Sequence, residues 1–423
     1  MRNGNRLQYV ALAARNLARH RRRTIITAIA VSVGVALYVA MSSLMNGFMG
    51  ESDRNLKEFE FASARIVADG YWEDHQSLPL NPIIEDAGTL QSQLKEAGIE
   101  ATTRTSFRGE MIIQYDPFPE DGSLPMTFTA INPDTDSQVF RLQEMMIDGR
   151  WLQAGDEIII GKWLADRIGA KPGYHVSIST RTRNGFRQLI DMRIVGIFET
   201  FNPQVDRHTI YMPQSAANEY LELLGAASSV YVKLPEFSAG TADLGDVESV
   251  LLDSGRNDEL RLLSFQEMNY AINEMTDIKD SFTSMFLFLL SIIALVGISN
   301  TMLMSVLERQ KEIGTLRALG FRNSEIRQIF MLEGAGIGLI GALGGLVLST
   351  IFVWLLTTYG IDYSFLLDKI DTGYRIEGVL YGVWEFPVMA NIAVFAVLVS
   401  GLVAYLPTRK ILKKTVTECL RHV

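Results

Sequence analysis

Side chains able to do chemistry are few and scattered in this sequence. Five histidines, His20, His75, His175, His208 and His422, stand in no ligand spacing such as H-E-x-x-H. Asp206 and His208 lie two apart and could share a cation, but two ligands do not make a metal site. No G-x-S-x-G elbow occurs. The stretch GDEIIIGKW, Gly155–Trp163, has the outline of a phosphate loop without its parts. Its first glycine is one residue too far from the second, and Trp163 replaces the magnesium-binding hydroxyl. The residues therefore offer no catalytic set, no metal and no means of hydrolysing ATP, and an enzyme is the least supported class.

One stretch does suggest a task. LERQKEIGTLRALGF, Leu307–Phe321, follows a long uncharged run and crowds Glu308, Arg309, Lys311 and Glu312 together. Ile313, Leu316 and Leu319 recur every three residues as an apolar stripe, and Gly314 and Gly320 permit close approach and a turn. Asn323 or Ser324 is placed to cap the next helix, with Glu325 in its first turn favouring the helix dipole. A short helix with one apolar face and a charged rim suits a groove on another protein. A connecting loop lying on the bilayer fits the same residues equally well.

The elements that would hold this stretch are long and apolar. The chain has 423 residues, 48% hydrophobic and 21% charged, a mixture expected of membrane spans joined to a water-soluble domain. Four windows lack Asp, Glu, Lys, Arg and His: 24–50, 281–307, 334–361 and 386–408. Each exceeds the roughly 20 residues that cross a hydrocarbon core, and a central charge there would cost about 2.5–3.5 kcal/mol. The first window is far longer than a signal-peptide core and reads as an uncleaved anchor. Lysine and arginine crowd residues 1–23, the 308–333 loop and the 409–423 tail, while the 362–385 loop has only Lys369 and Arg375. The positive-inside rule then places both termini and the 308–333 loop in the cytoplasm. Residues 51–280 lie outside, with 38 Asp+Glu against 20 Lys+Arg, a net of −18; the remainder is +9, which gives the total of −9. The basic flanks are explained by anionic lipid and call for no nucleic acid.

Within this frame, 1–23 reads as a cytoplasmic amphipathic arm. The fold class is an α-helical membrane protein with four transmembrane helices and a large α+β extracytoplasmic domain between the first two. By texture, 51–125 and 214–280 are mixed α/β, and 126–213 is a β-rich insert. Strands are expected at Ala64–Ala68, Ser229–Leu234 and over MTFTAI, DEIII, HVSIST and MRIVGIF; helices are expected at Ile83–Ala97, Lys162–Ala170, Ser215–Leu224 and from Phe265. The lone Cys419 falls in the tail, so no disulfide braces the outer domain. In the third span Gly334/Gly338 and Gly341/Gly345 form small faces for helix packing. Polar residues within the spans, among them Ser32, Ser42, Ser43, Asn46, Ser299 and Asn300, are mild, and hydrogen bonding between helices explains most of them.

LERQKEIGTLRALGFRNSEIRQIFMLEG resembles the loop of FtsX-like, MacB-type ABC transporter permeases, in which a coupling helix sits on the ATPase. AARNLARHRRRTIITAIAVSVGVAL, IIIGKWLADRIGAKPGYHVSI, MRIVGIFET and LPTRKILKKTVTECLR are similar to that family's arm and first span, outer subdomain and tail. The resemblance implies that Glu308, Arg309, Glu312, Ile313, Gly314, Leu316, Arg317 and Gly320 couple to a separate cytoplasmic ATPase. ATP and magnesium would bind that partner, and this chain would bind no cofactor. SLMNGF, Ser43–Phe48, looks like the MNGF segment of the lipoprotein-release (Lol) permeases; the fused ATPase of the macrolide-efflux type is absent from these residues. The Lol likeness implies a second permease, as homodimer or homologous heterodimer, in a bacterial inner membrane. It also implies a lipoprotein substrate and a periplasmic carrier, with Asn46, Phe48 and Asn300 lining the substrate opening. Efflux with a periplasmic adaptor, or a non-transporting activator module, are the other readings.

Overall fold

The structure is a computed structural model that describes residues 12–13, 15–17, 19, 21–200, 202–234, 244–256, 258–268, 270–362 and 379–412. Most of the amphipathic arm, most of the 362–385 loop and the tail with Cys419 lie outside these residues. In chain order the principal elements are α1 (Arg21–Leu56), β1 (Ala64–Ala68), α2 (Ala87–Glu96), β2 (Glu100–Ile113), β3 (Gly122–Ile131) and α3 (Pro133–Val139). Next come β4 (Met146–Gly149), β5 (Glu157–Gly161), α4 (Lys162–Ile168), β6 (His175–Arg181), β7 (Arg187–Phe198), α5 (Pro203–His208) and β8 (Thr209–Pro213). Then follow α6 (Gln214–Tyr220), β9 (Ser229–Lys233), α7 (Gly245–Asp253), β10 (Leu260–Ser264), α8 (Phe265–Met268) and α9 (Tyr270–Glu308). The chain continues through α10 (Gln310–Ala318), α11 (Asn323–Tyr359), β11 (Ile361–Asp362), β12 (Val379–Leu380), α12 (Phe386–Val403) and α13 (Tyr405–Ile411).

The chain divides into two compact units, the outer one built mainly from Gly50–Glu274. The other contains four helices long and apolar enough to cross a membrane. Each carries one buried face spaced by four residues: Val31, Val35 and Val39 on α1, and Leu290, Ala294, Ile298, Met302 and Val306 on α9. A helix turns 3.6 residues per cycle, so residues four apart stay on one face. Ile29, Val33 and Leu37 of α1 are exposed on its other side, as a lipid-facing surface requires. Helices α1, α9 and α11 begin before their charge-free windows. α1 passes Gly50 without a break, and α11 starts at Asn323 and so carries Glu333 inside it.

The outer unit is one ten-stranded sheet in the order β10-β1-β9-β2-β3-β8-β5-β7-β4, with β6 paired to β2 and β7. It runs unbroken across the expected boundary at 125/126, which falls within β3. The reason is β2, a 14-residue strand that the sequence did not announce. Its first part pairs with β9, its last part with β6, and β3 runs along its other edge. From Ala101 to Phe107 every residue of β2 is buried, so no alternation marks it. Its polar side chains are satisfied internally: Thr102 meets Thr135 at 2.9 Å, and Arg104 donates to both Asp136 oxygens at 2.7 and 2.9 Å.

Helix α2 begins four residues later than expected. Ile84 is held in a two-way backbone bridge to Ala227, and Asp86 has a left-handed φ of 51°, so the helix starts only after them. Helix α4 stops at Ile168 because Gly169 takes a φ of 67°.

Candidate functional site

The expected coupling segment is a discrete helix. Span α9 ends at Glu308; Arg309 (φ −104°, ψ 20°) interrupts the helical path, and α10 follows. Gly320, at φ +96°, makes the turn that no β-carbon residue would favour. Arg322, not Asn323 or Ser324, precedes the next helix in an extended conformation, and its backbone N–H donates to Glu325 at 2.8 Å. Asn323 is already the first helical residue, so the acid in the first turn supplies the cap itself.

The apolar stripe does not form one outward face. Ile313 is 2% exposed and packs into the membrane unit's own core, Gly314 is buried, Leu316 is half-buried, and Leu319 is 73% exposed. Three residues advance 300° around a helix, so each step of three drifts about 60°. Two steps carry the stripe from the interior to solvent, and Leu319 already lies beyond the last helical residue. The surface left open by α10 and its turn includes Lys311, Glu312, Thr315, Ala318, Leu319 and Gly320.

The charged rim is engaged within the chain. Arg309 is its hub: it donates to Glu312 at 2.7 Å and to Glu333 at 3.3 Å, and its guanidinium lies 5.5 Å from the Phe330 ring centre. Ser305 also donates to Glu333, at 3.3 Å. Arg23 pairs with Glu308 at 2.8 Å, and Arg19 with Glu312 at 3.4 Å. The hydrogen bond from Arg309 holds the Glu312 carboxyl below its usual range, and Arg19 adds to this. Arg317 is half-buried in the last turn, where a cation favours the helix dipole.

The Arg19–Glu312 pair is solvated and contributes little. The Arg309–Glu333 pair is not: its side chains are 14% and 6% exposed. The network therefore ties α10 to the end of α9, the start of α11 and the segment before α1. Glu333 was missed in the sequence. Its signal was a lone acid immediately before a charge-free window.

The glycines of α11 divide between two neighbours. A β-carbon at Gly334 or Gly338 would come within 2.5 Å of Ala404 or Ser400, respectively. One at Gly341 or Gly345 would come within 2.7 Å of Val31 or Val35 on α1. The first pair thus seats the α12–α13 segment and the second seats α1. Ser32 adds a hydrogen bond to the Gly341 carbonyl at 2.8 Å, and Thr27 and Thr301 join α1 to α9 at 2.7 Å.

The three residues expected at the substrate opening do not come together. Asn46 and Phe48 are half-buried near one end of α1, and Asn46 reaches Ser42 at 3.4 Å. Asn300 is exposed beside Thr301, which is level with Thr27. Nineteen residues of helix separate Thr27 from Asn46, about 28 Å at 1.5 Å per residue. Gly47 has a packing reason: a β-carbon there would lie 2.0 Å from the Tyr381 carbonyl oxygen, and Ser43 donates to the Val383 carbonyl at 2.9 Å.

The scattered chemical residues of the outer unit are also structural. Lys162 pairs with Glu199 at 3.0 Å, and Gly161 leads into a helix of only seven residues. The Asp206 carboxylate accepts from the Thr200 N–H at 3.0 Å and its hydroxyl at 2.6 Å, so it is occupied without a cation.

Two family models match this chain. One, the MacB-like periplasmic core domain, covers residues 24–246, and the other, the FtsX-like permease C-terminal region, covers 284–416. An uncharacterized ABC transporter permease of Methanocaldococcus jannaschii is 24% identical over 279 residues, 65% of each chain. The macrolide export ATP-binding/permease protein MacB of Pasteurella multocida is 24% identical over 360 residues, 80% of this chain and 51% of that one. The lipoprotein-releasing system transmembrane protein LolC of Neisseria meningitidis is 24% identical over 306 residues, 69% of this chain and 72% of that one. The chain thus spans between half and two thirds of the length of the first two.

Proposed function

We propose, since the chain belongs to the family of permeases that join a MacB-like periplasmic core domain to an FtsX-like permease region, that it is the membrane subunit of an ABC transporter. The observation that carries this reading is α10: a short helix at the end of a span, fixed from behind by Arg309 and Ile313, with Lys311, Thr315 and Leu319 open to a partner. A cytoplasmic ABC ATPase docks there, holds ATP and magnesium, and closes on ATP. Rigid attachment matters because a partner can move a span only through a lever that does not swivel. The buried Arg309–Glu333 pair at its start and the packing of Ile313 in the core give α10 that property. Helix α1, unbroken from Arg21 to Leu56, then carries the displacement toward the outer unit.

In this reading the chain lies in a bacterial inner membrane with both termini cytoplasmic and Gly50–Glu274 outside. It pairs with a second permease, either a copy of itself or a homologue. Its cargo is a lipid-anchored protein drawn from the outer leaflet and passed to a periplasmic carrier, a reading supported by the Ser43–Phe48 segment and the LolC likeness. Asn46 and Phe48 remain the residues proposed to meet the cargo; Asn300 is too distant to join them. Export with a periplasmic adaptor is favoured instead by the MacB relatives. Purification of the tagged chain in mild detergent, with mass spectrometry of its companions, separates the two. Acylated lipoproteins support release, an adaptor supports export, and a preparation without any ABC ATPase contradicts both.

A further inference from the structure

The outer unit has a large excess of acid, yet one cleft in it is basic. It has a volume of about 620 Å³, and its lining includes Arg108, Arg181, Arg183 and Arg187 with Glu110 as the lone acid. Sheet register explains the crowding. Arg181 and Arg187 are direct partners across β6 and β7. Arg108 stands one step beyond the Gly109–Thr180 pair, which sets it opposite Arg181 from β2. Three arginines thus form a row across three strands, on the exposed side of each. Like charges placed opposite one another destabilise a sheet, so the row is costly unless something anionic lies on it.

Nothing in the described chain neutralises it. Arg183 pairs with Glu85, and Arg108 donates to the Gln76 carbonyl at 2.7 Å. Arg181 and Arg187 have no carboxylate partner among the described residues. Thr182 lines the same cleft, is 6% exposed, and its hydroxyl has no hydrogen-bond partner among the described residues. Leu78 and Leu80, both half-buried, give the cleft an apolar side.

We infer that this cleft binds a phosphate-bearing amphiphile, with Arg181 and Arg187 gripping the phosphate beside Arg108, and Leu78 and Leu80 receiving its apolar part. Guanidinium forks match phosphate oxygens in pairs, and the adjacent apolar wall favours a ligand with a hydrocarbon portion over a bare ion. This site does not depend on α10 or on any ATPase, so it stands or falls apart from the transporter reading.

The test uses the full chain in a neutral detergent and three probes: dihexanoyl phosphatidic acid, inorganic pyrophosphate and hexaglutamate, with dihexanoyl phosphatidylcholine as control. Phosphatidic acid should raise the melting temperature and bind at least tenfold more tightly than phosphatidylcholine. In the double variant R181Q/R187Q that binding should weaken at least tenfold. Without any probe, the same variant should melt higher than the parent, because the repulsion is gone. Variant-sensitive binding of pyrophosphate as well supports the phosphate grip and indicates a soluble source as well as a lipid one. Binding indifferent to the substitutions, binding of hexaglutamate alone, or a variant that melts lower without probe would each overturn the proposal.

Discussion

Replacing Arg309 by alanine tests whether α10 is held rigidly. The substitution removes the 3.3 Å partner of Glu333 and the 2.7 Å partner of Glu312 together. Glu312 is half-exposed and keeps Arg19 and water, so its loss is small. Glu333 is 6% exposed and also accepts from the Ser305 hydroxyl. Removing one member of a buried pair costs about 3–5 kcal/mol. Arg309 is itself 14% exposed, which favours the low end, about 3 kcal/mol. Since 1.4 kcal/mol is tenfold, local opening of α10 should become about 100-fold more frequent. Hydrogen exchange of the amides in residues 310–318, followed by mass spectrometry in detergent, reads this directly. The companion variant Arg19→Ala should change exchange by less than about fivefold, because that pair is solvated. Adding Glu333→Leu to Arg309→Ala removes the buried carboxylate that loses its guanidinium and should restore most of the protection. Equal exchange in parent and Arg309→Ala would refute the claim that this pair fixes the helix.

Other outcomes follow from the same contacts. Gly338→Ala places a methyl 2.5 Å from Ser400, nearly 1 Å inside ordinary contact; it should cost about 1–3 kcal/mol, visible as a lower melting temperature and relieved by Ser400→Gly. Asp136→Ala leaves the buried Arg104 guanidinium unpaired and should cost about 3–5 kcal/mol, a fall of roughly 6–20 °C for a unit of this size. Burial alone would raise the Glu157 carboxyl, but hydrogen bonds from Arg150, Arg193 and the Gln153 N–H outweigh it and hold the group below its ordinary range. Its stabilisation is therefore complete above the unfolded value and is lost as pH falls through the depressed one. Between pH 6 and 3 the parent should lose more stability than Glu157→Gln, and parallel losses would contradict this.

The membrane helices were legible because hydrocarbon forbids charge, a rule that leaves a plain mark over 20 residues. The glycine faces were legible for a related reason: spacing by four fixes the face, whichever neighbour is met. Strand β2 was hidden by burial on both sides, which erases alternation, and by polar residues such as Thr102 and Arg104 whose partners lie far along the chain. The stripe Ile313–Leu316–Leu319 misled because spacing by three alone drifts around a helix. Its charges misled because a rim free to meet a partner and a rim already paired with Arg19, Arg23 and Glu333 read alike in sequence. The distance of Asn300 from Asn46 depends on the register between α1 and α9, which the Thr27–Thr301 pair reveals only in three dimensions.

The central claim is that an ATPase seats on the open face of α10. A photo-crosslinking residue at Leu319, compared with one at Ile313, tests it most directly in membranes of the native cell. The account predicts a crosslink to an ABC ATPase from position 319 and none from the buried position 313. Position 319 yielding only lipid or this chain itself, in membranes where the transporter is active, would contradict it.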